Sequence, residues 1–144
     1  MRVFFRILAL FLLSLLLFAT GCKRKKVDEL LLVKNMITRW ENGIILNSPD
    51  SLRAVFHPEN KWVVKTPQEM EQFVFNSGYE NIRVAGRTIR LYREGDKVTT
   101  AEVKLTLSGQ KRIGPASVEG WQGTLSLMLR KHKNNWGITD YKFE

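Results

Sequence analysis

Beyond Gly78 the hydrophobic residues recur with a period of two, and this change constrains the fold more than any other feature of the sequence. Segment 101–107 alternates strictly between apolar residues (Ala101, Val103, Leu105 and Leu107) and polar ones. Such alternation is typical of a strand with one face in the core and the other in water. Segment 121–129 repeats the pattern. A sheet with one apolar face needs a covering layer, which the first half of the chain must supply.

Turn residues divide this second half into strands. Apolar residues change parity around Gly86, which predicts one long strand with a bulge. Residues 94–96 (EGD) predict a hairpin turn, and 133–135 (KNN) predict another before a last strand at 136–143. We interpret 108–120 as a glycine-containing loop. The expected sheet is an antiparallel meander of about four strands.

The first half predicts three helices. The first spans 27–46 and carries an apolar stripe, and Ser48 with Pro49 begins a short second helix. Thr66, followed by proline and then by glutamate three residues after the threonine, begins the third. Between them, 61–65 (KWVVK) predicts a short strand. Helices gathered on one side of an antiparallel sheet indicate an α+β domain. The predicted stripe of the first helix comprises Leu30, Val33, Ile37, Trp40 and Ile44.

The first 21 residues have the pattern of an export signal. Arg2 and Arg6 precede an uncharged apolar stretch of 13 residues, Ile7 to Ala19. This length is typical of a signal-peptide core and falls short of the roughly 20 residues that span a bilayer. Cys22, the single cysteine of the chain, follows immediately, so neither an intrachain disulfide nor a cysteine zinc site can form.

Residues 19–22 (ATGC) resemble the lipobox of bacterial lipoprotein precursors, although Ala19 stands where that family more often has leucine. The resemblance implies cleavage between Gly21 and Cys22 and lipid attachment to Cys22. It also implies a place in the cell envelope, with the outer membrane facing the periplasm favoured by Lys23 and the cytoplasmic membrane as the alternative. An uncleaved N-terminal helix with an incidental cysteine is the other interpretation.

Charge is concentrated in a short segment after the cysteine. Six of the 23 basic residues lie within the first 26 positions, which leaves 17 against 14 acidic residues in 27–144. A folded part so nearly balanced does not predict nucleic-acid binding. We expect Lys23, Arg24, Lys25 and Lys26 to contact anionic headgroups beside the lipid. The chain thus divides into a signal peptide (1–21), a basic tether (22–26) and one domain (27–144).

The order of elements in 27–144 resembles the NTF2-like, or cystatin-like cone, superfamily. Three segments carry the likeness: 56–62 (FHPENKW), 123–127 (GTLSL) and 135–138 (NWGI). The resemblance implies a curved sheet that wraps a long N-terminal helix. Because this fold includes isomerases, dehydratases and non-catalytic modules, it leaves the function open.

Enzymes of this superfamily tend to place a carboxylate with a tyrosine or histidine inside the cone. The candidates for catalysis are Asp140, Tyr92 and His57. Asp140 shares parity with Trp136 and Ile138, whereas Tyr141 and Phe143 have the opposite parity, so the face on which Asp140 lies stays open. We interpret His57, which precedes a proline, as a turn or capping residue. Glu41, on the first helix, and His132, between two lysines, are expected in solvent. Tyr141 is a further candidate.

No metal site or cofactor motif is recognisable, because two distant histidines without a cysteine do not converge. Arg83, Arg87 and Arg93 share a parity and are expected on one sheet face, which is either solvated or bound to an anionic partner. We favour a binding or assembly module with a protein partner or a second copy on its sheet face. The alternatives are a small-molecule enzyme and a structural subunit of a secretion or conjugation complex.

Overall fold

A computed structural model describes residues 27–144 as helices packed on a four-stranded antiparallel sheet in which each strand lies beside the next in sequence. The predicted α+β architecture is confirmed. The elements are α1 (Glu29–Ile45), α2 (Pro49–Arg53), a 3-10 turn (Asn60–Trp62), α3 (Pro67–Asn76), β1 (Tyr79–Glu94), β2 (Lys97–Gly114), β3 (Ser117–His132) and β4 (Asn135–Phe143).

Side-chain caps begin the first two helices. The Asp28 carboxylate accepts a hydrogen bond from the Leu31 amide at 3.1 Å, and the Ser48 hydroxyl accepts one from the Ser51 amide at 3.3 Å. Both bonds satisfy amides that a helix start leaves free. Thr66 precedes α3 as predicted, but its side chain makes no capping bond. The helix starts were therefore predictable to within about two residues, as such boundaries usually are.

Helix α1 buries a stripe slightly rotated from the predicted one. Val33, Ile37 and Trp40 are buried as expected, whereas Leu30 is exposed. Met36 and Gly43 occupy the remaining buried positions. Gly43 is buried because α2 crosses α1 there: a Cβ on Gly43 would lie 3.2 Å from the Leu52 amide nitrogen. The glycine therefore permits the close contact between the two helices.

Strands β2 and β3 form one long hairpin. The predicted loop at 108–120 is wrong, because β2 continues to Gly114 and β3 begins at Ser117. Gly109 lies within the ladder, where a Cβ would stand 2.8 Å from the Glu80 carbonyl oxygen. This glycine thus serves close packing against β1 instead of a turn. The hairpin also extends beyond β4, whose last residue pairs with Leu125.

The predicted parity change in β1 is confirmed. The register of β1 against β2 shifts between Val84 and Gly86. The Val84 amide donates at 2.9 Å to the carboxylate of Glu41 on α1. The expectation that Glu41 is solvated is therefore wrong: an irregular strand presents an amide to the helix, and this carboxylate satisfies it.

The predicted strand at 61–65 is also wrong. Asn60–Trp62 forms a 3-10 turn, and the Val64 amide then donates to the Thr139 carbonyl at 2.7 Å. A second register shift occurs in β4, where Ile138 pairs with Leu129 but Asp140 pairs with Met128. The segment therefore attaches to this irregular point of β4 and does not form a ladder of its own.

The chain after α2 instead lies along β4. Phe56 forms a parallel bridge with Ile138, whose amide donates to the Val55 carbonyl and whose carbonyl accepts from the His57 amide, both at 2.9 Å. The two backbones approach so closely that a Cβ on Gly137 would lie 2.5 Å from the His57 Cα. Residue 137 must therefore be glycine for the helical half to bond to the sheet.

We expect Gly137→Ala to lower the free energy of unfolding by about 1–3 kcal/mol, because the methyl group would push the two backbones apart. Gly120→Ala is the matched control, since no atom lies within 4 Å of the corresponding Cβ. Urea unfolding of both variants measures the difference. Equal stability of the two would show that the contact at Gly137 is not required.

Candidate functional site

Apolar side chains fill the interior between α1 and the sheet. Trp40 is fully buried, and its indole nitrogen lies 3.0 Å from the sulfur of Met70 on α3. Alternate residues of β2 and β3 face this pair from the sheet. The fully buried large side chains are Met36, Ile37, Trp40, Leu52, Met70, Ile82, Leu105, Leu107, Leu125, Leu127, Leu129 and Ile138.

An aromatic cluster covers the core at the end nearest the β2–β3 turn. The Phe73 ring on α3 stacks on Phe143 with ring centres 3.6 Å apart, and Tyr79 and Trp121 lie 4.5 Å from each other. All four rings are partly buried against the core. Aromatic contacts of this kind stabilise packing, and here they cover the end of the core with apolar surface.

Asp140 faces away from this interior. Its cross-strand partner Met128 is 42% exposed, and paired residues of neighbouring strands project from the same face. The Asp140 carboxylate accepts a hydrogen bond from the adjacent Tyr141 amide at 2.8 Å. Of the two alternatives for the last strand, the inward Asp140 is wrong, because the register shift at Thr139 turns Tyr141 into the core instead.

The two tyrosine candidates are both held by hydrogen bonds. Tyr92 is 44% exposed on the outer face and donates to the Glu102 carboxylate at 2.8 Å, which raises the pKa of the phenol. Tyr141 is buried and donates to the Thr66 carbonyl at 2.8 Å. Burial raises the pKa of Tyr141 to about 12, so that its hydroxyl remains a donor at neutral pH.

Within residues 27–144, His57 is the one residue with a polar or charged side chain that is classed as buried. Its Nδ1 accepts a hydrogen bond from the Glu59 amide at 3.1 Å, so the predicted turn role is confirmed. The ring of His132 lies edge-on, with ring centres 5.4 Å apart, and its Nδ1 is 3.2 Å from the Glu59 carboxylate. The expectation that His132 lies freely in solvent is therefore wrong. The turn of β3 into β4 brings it to His57, far away in sequence.

His132 borders a small pocket of about 170 Å³ at the edge of β4, which Phe56 and Pro58, on either side of His57 in sequence, also line. Burial lowers the pKa of His57, and the nearby His132 and Arg130 act in the same direction, while the negative charge of Glu59 opposes this change. A neutral His57 is the stable form in the fold. The pocket is lined by one imidazole, that of His132, and by no carboxylate, and it is much smaller than typical ligand sites.

A second and larger site is a groove of about 500 Å³ at the opposite end of the domain from the β2–β3 turn. The two other hairpin turns and the start of α1 meet here, because an antiparallel meander returns alternate turns to the same end. The charged residues that line it are Glu29, Arg93, Asp96, Lys97, Arg130, Lys131 and Lys133, and Val27 lies beside them.

Ionic contacts hold the groove together. Glu29, in the first turn of α1, forms an ion pair with Lys131 of β3 and accepts from the Trp136 indole at 3.2 Å. The guanidinium of Arg130 lies over the Trp62 ring at 3.7 Å from its centre. Sequence reasoning missed this groove. The signal was the basic residues beside both predicted turns, which the meander topology places together.

The predicted arginine face is wrong. Arg83 pairs with Ser108 on the outer face, whereas Arg87 pairs with Leu105, whose side chain points into the core. The register shift between Val84 and Gly86 lies between them and reverses the parity. Of the three arginines, Arg93 belongs to the groove. The neighbouring Arg90 lies 4.0 Å from the Glu102 carboxylate.

Several predicted residues lie outside the described part. Gly21, Cys22 and the tether Lys23–Lys26 precede residue 27, so their roles remain predictions. Within 27–144, no three potential metal ligands converge. In the same range, no helix is long and apolar enough to cross a bilayer.

Comparison with known proteins identifies the fold. No protein-family profile and no curated protein matches the sequence. Among solved structures, a candidate Ca/calmodulin-dependent kinase II association domain from Exiguobacterium sibiricum superposes with a TM-score of 0.61 at 7% identity, covering 83% of this chain and 95% of that one. A candidate NTF2-like dehydratase from Streptomyces avermitilis gives 0.57 at 13% identity, covering 80% and 94%.

A third similar structure is an NTF2-like protein of unknown function from Shewanella oneidensis, with a TM-score of 0.54 at 10% identity and coverage of 77% of this chain and 94% of that one. Identities this low establish the fold and not the activity. Residues 27–144 therefore have the NTF2-like, cystatin-like cone fold that segments 56–62, 123–127 and 135–138 suggested.

We expect acid to destabilise the domain partly through His57. Because the folded pKa of His57 lies below its unfolded value, its contribution to stability is complete above about pH 6.5 and is lost as the pH falls through the folded value. His57→Asn keeps an acceptor for the Glu59 amide but does not titrate.

Urea unfolding at several pH values between neutral and mildly acidic should therefore show a smaller loss of stability for His57→Asn than for the unchanged protein. The variant His132→Asn keeps His57 and should retain most of the loss. Parallel curves for the unchanged protein and His57→Asn would contradict the assignment.

Proposed function

We propose that the protein is a lipid-anchored lipoprotein of the cell envelope whose NTF2-like domain serves as a binding or assembly module. The filled interior of the domain carries the second half of this proposal. The export leader and Cys22 support the first half. The favoured location is the periplasmic side of the outer membrane, with the cytoplasmic membrane as the alternative.

The interior argues against a chamber for chemistry. Trp40, Met36 and Met70 occupy the space between α1 and the sheet, and each is fully buried. Of the candidates, Asp140 and Tyr92 lie on the outer face, and Tyr141 is committed to the Thr66 carbonyl. A catalytic carboxylate needs a position beside a bound substrate. The described surfaces, and not the interior, are therefore the places where this domain meets other molecules.

The outer sheet face supports contact with a protein partner or a second copy. Met128 and Tyr92 stand exposed on this face beside the carboxylates of Glu102 and Asp140. A face with polar groups and a few apolar side chains resembles the composition of non-obligate interfaces. Ile113 and Val118, 59% and 44% exposed near the β2–β3 turn, favour the second candidate function, a subunit of a secretion or conjugation complex.

Cys22→Ala should abolish lipid attachment. We expect an unprocessed precursor that incorporates no labelled palmitate, because the thiol is the acylated group. A control chain that combines Cys22→Ala with Ser126→Cys shows whether a thiol elsewhere restores labelling, which it should not. Palmitate incorporated by the Cys22→Ala chain would refute the anchoring half of the proposal.

Asp140→Ala should leave the envelope role intact. The substitution removes one hydrogen bond to the Tyr141 amide, so we expect a stability loss of about 0.5–1.5 kcal/mol. Complementation of a deletion strain and thermal unfolding of the purified variant measure the two effects. Loss of complementation by a folded, lipidated Asp140→Ala protein would restore the case for catalysis.

A further inference from the structure

The basic groove lies where the tether joins the domain. Val27 borders it and follows Lys26 directly in sequence. Val27 lies five residues after Cys22 in the sequence. Even a fully extended chain therefore limits the distance between their Cα atoms to about 18 Å. If Cys22 carries lipid, the groove is confined to the neighbourhood of the headgroups. The β2–β3 turn at the other end of the sheet is under no such restriction.

The charge of the groove complements an anionic bilayer. Five basic side chains line it against two carboxylates, and one of those carboxylates, on Glu29, is paired with Lys131. Arg93, Lys97 and Lys133 are exposed and contribute to the positive rim. Negative surface potential attracts such residues within about one Debye length, roughly 8 Å at physiological ionic strength.

Arg130 adds a geometric element to the charge. Its guanidinium lies over the Trp62 ring, and this contact restricts the position of a group that can donate paired hydrogen bonds to phosphate. Trp62 is itself partly exposed beside it. An indole next to basic groups is a common arrangement at the level of lipid headgroups.

We propose that this groove binds the phosphate groups of anionic phospholipids in the membrane that holds the anchor, and so orients the domain with its β2–β3 turn away from the bilayer. This inference rests on the proposed lipid anchor. Lipid at Cys22 sets the distance, while the groove sets which end of the domain faces the membrane. A free polyanion is the alternative occupant of the groove, and vesicles of defined composition distinguish the two.

The test uses the lipidated protein reconstituted into vesicles, with a spin label at a single introduced cysteine. Asn134→Cys places the label in the turn beside the groove, and Ala116→Cys places it in the β2–β3 turn as the matched position. Both residues are exposed and uncharged. The vesicles contain phosphatidylcholine alone or equal parts of phosphatidylcholine and phosphatidylglycerol, and a water-soluble paramagnetic reagent measures accessibility.

We expect the label at position 134 to be protected in the phosphatidylglycerol vesicles and accessible in the neutral ones, and the label at 116 to be accessible in both. Lys97→Gln with Lys133→Gln should shift the balance towards the undocked domain by about fivefold per charge removed. Lys104→Gln with Lys111→Gln removes the same charge outside the groove and should leave protection unchanged.

Equal accessibility of position 134 in both vesicles would overturn the proposal, as would protection that persists after the Lys97 and Lys133 changes. Protection that requires an added soluble polyphosphate would assign the groove to a free polyanion and would also overturn it. Flotation with neutral vesicles reports the lipid anchor separately. A chain that floats only with phosphatidylglycerol vesicles would contradict the anchor while supporting the groove.

Discussion

The parallel contact between Val55–His57 and β4 connects the two halves of this domain. Helices α1 and α2 otherwise meet the sheet largely through side chains, which allow sliding, whereas the two backbone bonds at Ile138 fix one register. Gly137 makes the contact sterically feasible. Once this register is fixed, His57 faces His132 and the following turn brings Trp62 under Arg130. The histidine pair and the contact of Trp62 with Arg130 beside the groove therefore depend on the same backbone contact.

Local signals in the sequence predicted the elements that depend on local chemistry. Asp28 and Ser48 cap helices because their side chains reach amides three residues away. The alternation in 101–107 predicted which side of β2 is buried, since successive strand residues point to opposite faces. The parity change near Gly86 likewise predicted a bulge. None of these inferences requires knowledge of a distant partner.

Predictions failed where a distant partner decides the outcome. Gly109 indicated a loop, but it accommodates β1, which lies about thirty positions earlier. Residues 61–65 have strand-like composition, yet they reach β4 at an irregular point and form a single backbone bond there. Parity alone left the direction of Asp140 open, and the register shift before it turns its side chain away from the core. Strand propensity and parity describe an isolated strand. Pairing with neighbouring strands determines the register and therefore which side chains are buried.

The candidate sites were less predictable than the fold for the same reason. The groove draws its charges from the start of α1 and from two hairpin turns, and no sequence window contains them together. His132 was assigned to solvent from its lysine neighbours, although the residues that surround it come from the turn after α2. The composition of residues 27–144 gives a nearly balanced charge. The total is correct, but it does not reveal that basic residues are concentrated at the groove.

The strands of the sheet differ in length, and this difference determines how far the β2–β3 turn projects from the rest of the domain. Strand β2 contains 18 residues, whereas β4 contains nine and ends opposite Leu125, so half of the hairpin stands beyond its shorter neighbour. At about 3.3 Å per residue, β2 measures about 60 Å along its path, although the curvature of the sheet shortens the direct span. If one end is held at a bilayer as we propose, the exposed side chains of Ile113 and Val118 lie at the far end of the sheet, well separated from the headgroup layer.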